Sequence, residues 1–342
     1  MNRRTWTLLV SLLLAMTLGV LGGLATVPYV ALRPGPTFNT LGTVAGQTVV
    51  DIKGTRTYPT AGHLNMTTVS VVDNVTLFGA MGFWLSGSSA LVPREEIFPP
   101  DLSRQQVQQQ NQQMFKQSES SAETAALHYL HYPSKVVVDQ VFLNGASHGK
   151  LAAGDRLLSI DGKKVDTAQQ VVALVAASRP GQLVQVGFQR GDTPPRQVAV
   201  SLGTGPQRDH GYLGIGLRDR PDVPFHITIS LADIGGPSAG LMFALSIVDK
   251  LTPGALAGDM FVAGTGEITP QGEVSPIGGI PFKMIRAREA GATVFLVPTD
   301  NCAEAAQRTP AGLRLVRVTS LGDAVRALDE LRTGQQPPDC GS

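Results

Sequence analysis

Apolar positions fall into two regimes along this chain: one unbroken run at the start, then short periodic runs. Residues 5–32 (TWTLLVSLLLAMTLGVLGGLATVPYVAL) carry no charge, and Arg3, Arg4 and Arg33 flank them. About 20 apolar residues suffice to span a bilayer, so this pattern predicts one membrane-crossing helix. A signal-peptide core is shorter, about 7–15 residues, and no clear small-residue cleavage site ends this run. We expect an uncleaved signal anchor; a cleaved signal peptide and a buried core helix are the alternatives. Positive charge ahead of the run assigns residues 1–4 to the cytoplasm and everything after Arg33 to the other side of the cell membrane, as a single-pass arrangement.

Beyond the run the pattern breaks into shorter units. Residues 34–46 (PGPTFNTLGTVAG) are rich in proline and glycine, so residues 33–59 are expected to be a linker. Alternation in 63–72 (HLNMTTVSVV) predicts a strand. Breakers punctuate 85–100. A Gln-rich stretch, 103–117, follows; Val107, Met114, Ala122, Ala125 and Tyr129 recur at helical spacing, predicting a long solvent-facing helix that stops before Pro133. Residues 134–203 read as strand, turn, strand, helix, strand, strand. Residues 225–231 (FHITISL) read as a buried strand, and LMFALSIVDKL after them as a helix ended by Pro253-Gly254.

Composition narrows the field. The chain has 342 residues, enough for two or three domains at about 100–200 residues each. Hydrophobic residues make up 42% and net charge is +1, which excludes a disordered chain and disfavours a dedicated nucleic-acid binder. One long apolar run disfavours a polytopic membrane protein. No Cys-x-x-Cys pair or His/Cys cluster is present, so no metal site and no cofactor is expected. In an oxidising space outside the membrane, Cys302 and Cys340 would form a disulfide tying the C-terminal tail to the fold; two unpaired thiols are the alternative.

The string Gly154-Asp155-Arg156-Leu157-Leu158-Ser159-Ile160-Asp161-Gly162, set in the strand–helix order of 134–203, resembles the signature of bacterial-type PDZ domains. That resemblance implies capture of a peptide C-terminus by strand addition. The family's glycine-containing carboxylate loop would precede the strand at Val136. Here that place reads His128-Tyr129-Leu130-His131-Tyr132-Pro133, while Gly211-Tyr212-Leu213-Gly214-Ile215-Gly216 lies after the module. A steric or regulatory role therefore stands beside peptide binding. Gly145 to Leu151 superficially suggests a phosphate loop, but the glycine spacing is short and no Ser/Thr follows Lys150, so no ATP binding is expected.

Ser238 sits where the strand at 225–231 gives way to a helix, inside Gly235-Gly236-Pro237-Ser238-Ala239-Gly240. Free amides at a helix start can stabilise an oxyanion, so Gly236, Pro237 and Ala239 are candidate turn and oxyanion residues. An N-capping serine is the plainer reading. A nucleophilic serine needs a base. His226 falls within the strand. Lys283 lies among Ile280, Pro281, Phe282, Met284 and Ile285, where burial would lower its pKa; a surface lysine reaching to water is the alternative.

GPSAG at 236–240, Thr265-Gly266-Glu267-Ile268, and Pro276-Ile-Gly278-Gly279-Ile280-x-x-Lys283, in that order, resemble the proteolytic domain of Lon-type serine proteases, family S16. With the apolar run and the PDZ-like module, the chain resembles the membrane-anchored, PDZ-containing Lon-like proteins of bacteria. The resemblance implies an α/β (α+β) fold, Ser238 as nucleophile, Lys283 as general base and Thr265 as the hydroxyl that holds the lysine amine. Some members carry an acidic residue three positions before the serine; here that place is Gly235, with Asp233 out of register. The implied organisation is an N-terminal protease part over 60–133, a PDZ-like module over 134–205 inserted in it, the Lon-type domain over 206–333 and a tail, 334–342. The implied activity is ATP-independent hydrolysis of unfolded or flexible proteins outside the membrane, and relatives assemble as rings. A non-catalytic scaffold and a different acyl hydrolase remain as alternatives.

Overall fold

The computed structural model describes residues 3–205, 210–231 and 234–341. The apolar run forms a helix over Arg3–Leu24 whose side chains, Gly22 apart, are exposed. Helix ends here, before the run does: Pro28 cannot donate to a helical ladder, and Tyr29 begins a strand, Tyr29–Asn39. Residues 34–39, expected to be linker, are therefore the second half of a strand inside the main sheet. Its prolines mark the place where the register shifts, between Pro34 and Thr37, because a proline removes a ladder hydrogen bond.

That sheet has six strands in the order Arg314–Val318, Val294–Pro298, Phe261–Gly264, His63–Val72, Tyr29–Asn39, Ala90–Pro93. The first four run parallel to one another and the last three pair antiparallel. Strands from before residue 134 and after residue 221 thus share one sheet. Helix Gly240–Leu251 is almost wholly buried against it, with Leu241, Met242, Phe243, Leu245 and Ile247 at the centre of the largest apolar core.

The Gln-rich stretch is a helix over Arg104–Tyr129, opened by a capping box between Ser103 and Gln106. It is not solvent-facing along its length. Phe115, Ala122, Ala125, Ala126 and Leu127 are buried, and the Phe115 ring meets Phe243 edge-on at 5.7 Å. Met114 and Tyr129, two of the apolar positions at helical spacing, are exposed. The expected buried strand at 225–231 is shorter, His226–Ile229, pairs among the described residues only with Val50–Lys53, and alternates exposed with half-buried residues. An apolar helix the pattern did not reveal spans Leu77–Ser86.

A second sheet runs Arg196–Ser201, Leu183–Gln189, Arg156–Ile160, Ser134–Val141, Ile215–Pro221, with helix Ala168–Ala176 packed beside it over its own core. One strand of this sheet comes from beyond residue 205. Strand Ile215–Pro221 completes this sheet as an edge strand because its pairing partner, Ser134–Val141, has no other neighbour on that side. Gly154 adopts φ +90° and Asp155 is buried, accepting a bidentate pair of bonds from Arg190 at 2.7 Å each.

Cys302 and Cys340 are joined, closing a loop of 38 residues and holding the C-terminal tail against the edge strand, where Arg317 N–H donates to the Pro338 carbonyl. Closing a loop of this size stabilises a fold by about 2–4 kcal/mol. Cys340→Ser is expected to cost that much, read as a lower thermal midpoint, with the wild-type protein falling to the same midpoint under reductant.

Candidate active site

Ser238 lies at the mouth of a cleft of about 640 Å³ between the serine turn, the strand His63–Val72 and the segment before helix Ile280–Glu289. Thr68, Val69, Ser70, Ile234, Ile277 and Gly278 contribute to its walls. Gly236 makes the turn with φ +88°, a conformation that disfavours any side chain. Gly240 opens the following helix with no room for a Cβ, which would lie 2.8 Å from Ile268 and 2.9 Å from the Ser118 hydroxyl.

Lys283 is buried, 3% exposed, on the first turn of helix Ile280–Glu289, which Gly279 and Pro281 start. Its Nζ lies 2.8 Å from Ser238 Oγ and 2.8 Å from Thr265 Oγ1. Burial pushes its pKa down to about 7. Its place near the positive end of a helix acts in the same direction. The Thr265 hydroxyl donates to the Ser238 carbonyl at 3.0 Å. Its single proton is thereby used, so Thr265 can only accept from the lysine. An amine that spends one N–H on Thr265 can turn its lone pair toward the serine hydroxyl. The arrangement has the chemistry of a nucleophile with a neutral base.

The turn itself is braced from the Gln-rich helix. The Gly236 N–H donates to the Asn111 carbonyl at 2.9 Å, and Ser118 Oγ donates to the Pro237 carbonyl at 2.8 Å. This corrects one expectation: the Gly236 amide is already engaged, and Pro237 has no N–H, so neither donates to an oxyanion. Ala239 remains at the helix start, with the Ser238 amide beside it. Asn111 and Ser118 were missed in the sequence because a Gln/Ser-rich helix 120 residues upstream carries no spacing signal toward Ser238. His226 is exposed and lines a different cleft, with Glu123 and Arg220. Asp233 lies outside the described residues. Cys302 and Cys340, and Gly154 and Asp155, sit in other parts of the fold. Among the described residues no His/Cys/Asp/Glu group could hold a metal ion.

A second groove, about 320 Å³, runs between helix Ala168–Ala176 and the free edge of strand Ile215–Pro221. Val171, Val172, Val175, Leu213, Ile215 and Leu217 make it apolar, and Gly211 to Leu213 close one end. The glycine-containing string that trails the module in sequence therefore stands at the head of the edge strand in space.

Residues 216–328 match the Lon protease (S16) C-terminal proteolytic domain, and residues 105–202 match the PDZ domain. The chain is 30% identical to the Lon protease of Azospirillum brasilense over 176 residues, 51% of this chain and 20% of that protein. It is 33% identical to the Lon protease of Clostridium beijerinckii over 149 residues, 43% of this chain and 18% of that one. It is 41% identical to Lon protease 1 of Sorangium cellulosum over 85 residues, 25% and 10% of the two chains. The chain spans a fifth or less of the length of these curated relatives. The Ser–Lys–Thr cluster lies within residues 216–328 and most of the second sheet within residues 105–202, so this chain contains one segment similar to the Lon-type S16 serine peptidase proteolytic domain and one similar to a PDZ domain.

Proposed function

We propose that the protein is a membrane-anchored serine endopeptidase whose Ser238–Lys283 pair hydrolyses peptide bonds of flexible or unfolded proteins outside the membrane, without ATP. The observation that carries the reading is the buried Lys283 amine 2.8 Å from Ser238 Oγ. An ordinary lysine near 10.4 would be neutral in roughly one molecule in 2,500 at pH 7. With its pKa near 7, about half the Lys283 amines are neutral and can take the serine proton.

In this mechanism Ser238 Oγ attacks the peptide carbonyl as its proton passes to Lys283. The oxyanion forms at the helix start, near the amides of Ser238 and Ala239. Lys283 then protonates the leaving amine, and water releases the acyl group by the reverse path. Thr265 holds the amine in place throughout. The PDZ domain is a peptide-binding module inserted between two parts of the protease fold. Its free strand edge and apolar groove support capture of a chain end by strand addition.

Placement outside the membrane rests on three supports. Helix Arg3–Leu24 has 22 residues, about 33 Å at 1.5 Å per residue, and contains an 18-residue stretch with mean hydropathy 2.2. Arg3 and Arg4 precede it. The Cys302–Cys340 pair suits an oxidising compartment. A site there would work without ATP, which favours substrates that need no mechanical unfolding.

Cleavage of an unfolded protein by the purified full chain, without ATP, tests the reading. Wild type is expected to cut and Ser238→Ala and Lys283→Ala to lose at least a thousandfold in kcat/KM; cleavage that survives Ser238→Ala overturns it. The pH profile gives the sign of the base. Because the neutral amine is the active form, kcat/KM should rise about tenfold per pH unit below 7 and level off above it, whereas a base that works protonated would give a fall. For the groove, Val172→Glu places a charge on an exposed apolar wall. It should weaken binding of a fluorescent peptide with a free apolar C-terminus at least tenfold, read by anisotropy, while hydrolysis of a short peptide is unchanged.

A further inference from the structure

We infer that helix Leu77–Ser86 is a second membrane-contacting element, lying in the lipid interface beside the membrane helix and holding the catalytic sheet at a fixed attitude to the bilayer. The inference rests on the anchored reading of helix Arg3–Leu24.

Helix Leu77–Ser86 presents its apolar residues outward. Leu77, Phe78, Met81, Trp84 and Leu85 recur at one helical face and are 46–75% exposed. Its opposite side, with Ala80 and Phe83, packs on Ala31 and Leu91 of the sheet end and on Val75 of the segment before the helix. No Asp, Glu, Lys, Arg or His occurs from Asn74 to Pro93. A soluble surface rarely leaves so large a contiguous face uncovered.

Its place in the fold identifies lipid as the cover. The helix begins where the membrane helix ends. Leu77 N–H donates to the Ala25 carbonyl and Val27 N–H to the Val75 carbonyl. One turn further in, Gly22 is the sole buried residue of the membrane helix among those described, and a Cβ there would lie 2.5 Å from the Phe78 ring. The outward face is thus continuous with the lipid-facing surface of helix Arg3–Leu24. Charge borders it on the sheet side: Arg33 stacks over Phe83 at 5.6 Å, and Arg94 and Arg104 pair with Asp73. Aromatic side chains backed by arginine are the composition of a bilayer interface.

The chain has two tryptophans, Trp6 in the membrane helix and Trp84 in the second helix, so each can be read alone. Full-length Trp6→Phe and Trp84→Phe proteins are reconstituted into phosphatidylcholine/phosphatidylglycerol vesicles whose acyl chains carry bromine at shallow or deep positions. In Trp6→Phe, Trp84 emission should shift to the blue on reconstitution and lose most of its intensity, more to shallow bromines than to deep ones. Trp84 emission that stays red and unquenched, while Trp6 is quenched in the companion protein, overturns the inference and leaves the anchor standing. Quenching of neither overturns both. A blue-shifted Trp84 that bromine does not quench also overturns it, because the face is then covered by a second copy or another protein. Quenching of Trp84 alone sustains the lipid contact and removes the anchor.

Discussion

Burying a lysine amine is the constraint around which the site is arranged. An ammonium taken out of water costs several kcal/mol unless it is paired with an anion. Among the described residues no carboxylate pairs with Lys283; its polar contacts are the hydroxyls of Ser238 and Thr265. The amine therefore sheds its proton rather than its solvent alone, and a pKa lowered from 10.5 to about 7 corresponds to about 5 kcal/mol in favour of the neutral form. Hydroxyls satisfy a neutral amine without restoring its charge.

The rest of the protease fold keeps this arrangement from relaxing. Helix Gly240–Leu251 is packed on all sides, so the serine that precedes it has little freedom. The Gln-rich helix then crosses over it, and Asn111 and Ser118 hold the turn by two backbone contacts. At Ser118 the helix presents a small residue to the serine turn, which allows that close approach; a leucine there would stand the turn away from it.

The resemblance of short motifs pointed to three residues that the fold brings within hydrogen-bond distance. Ser238, Thr265 and Lys283 are each set in short glycine-bearing strings that survive as local turns, and local turns are what a linear reading resolves. What escaped was non-local. The strand Tyr29–Asn39 was hidden because its prolines and glycine, tolerated at a register shift, look like linker. Helix Leu77–Ser86 was hidden because a helix apolar over most of its surface has no polar face to give it a period. In the Gln-rich helix the polar composition pointed to solvent, although Val107, Ala122 and Ala125 are buried. Strand Ile215–Pro221 joins a sheet whose other members end 14 residues earlier, a pairing that only the folded chain reveals.

Strand His63–Val72 has one further consequence. It lines the Ser238 cleft at Thr68 to Ser70 and ends at Val72, and the chain enters helix Leu77–Ser86 seven residues after Ser70. At about 3.3 Å per residue that spacing is at most roughly 23 Å. The cleft and the outward apolar helix are thus tied by a tether of fixed covalent length, and neither can be displaced far without moving the other.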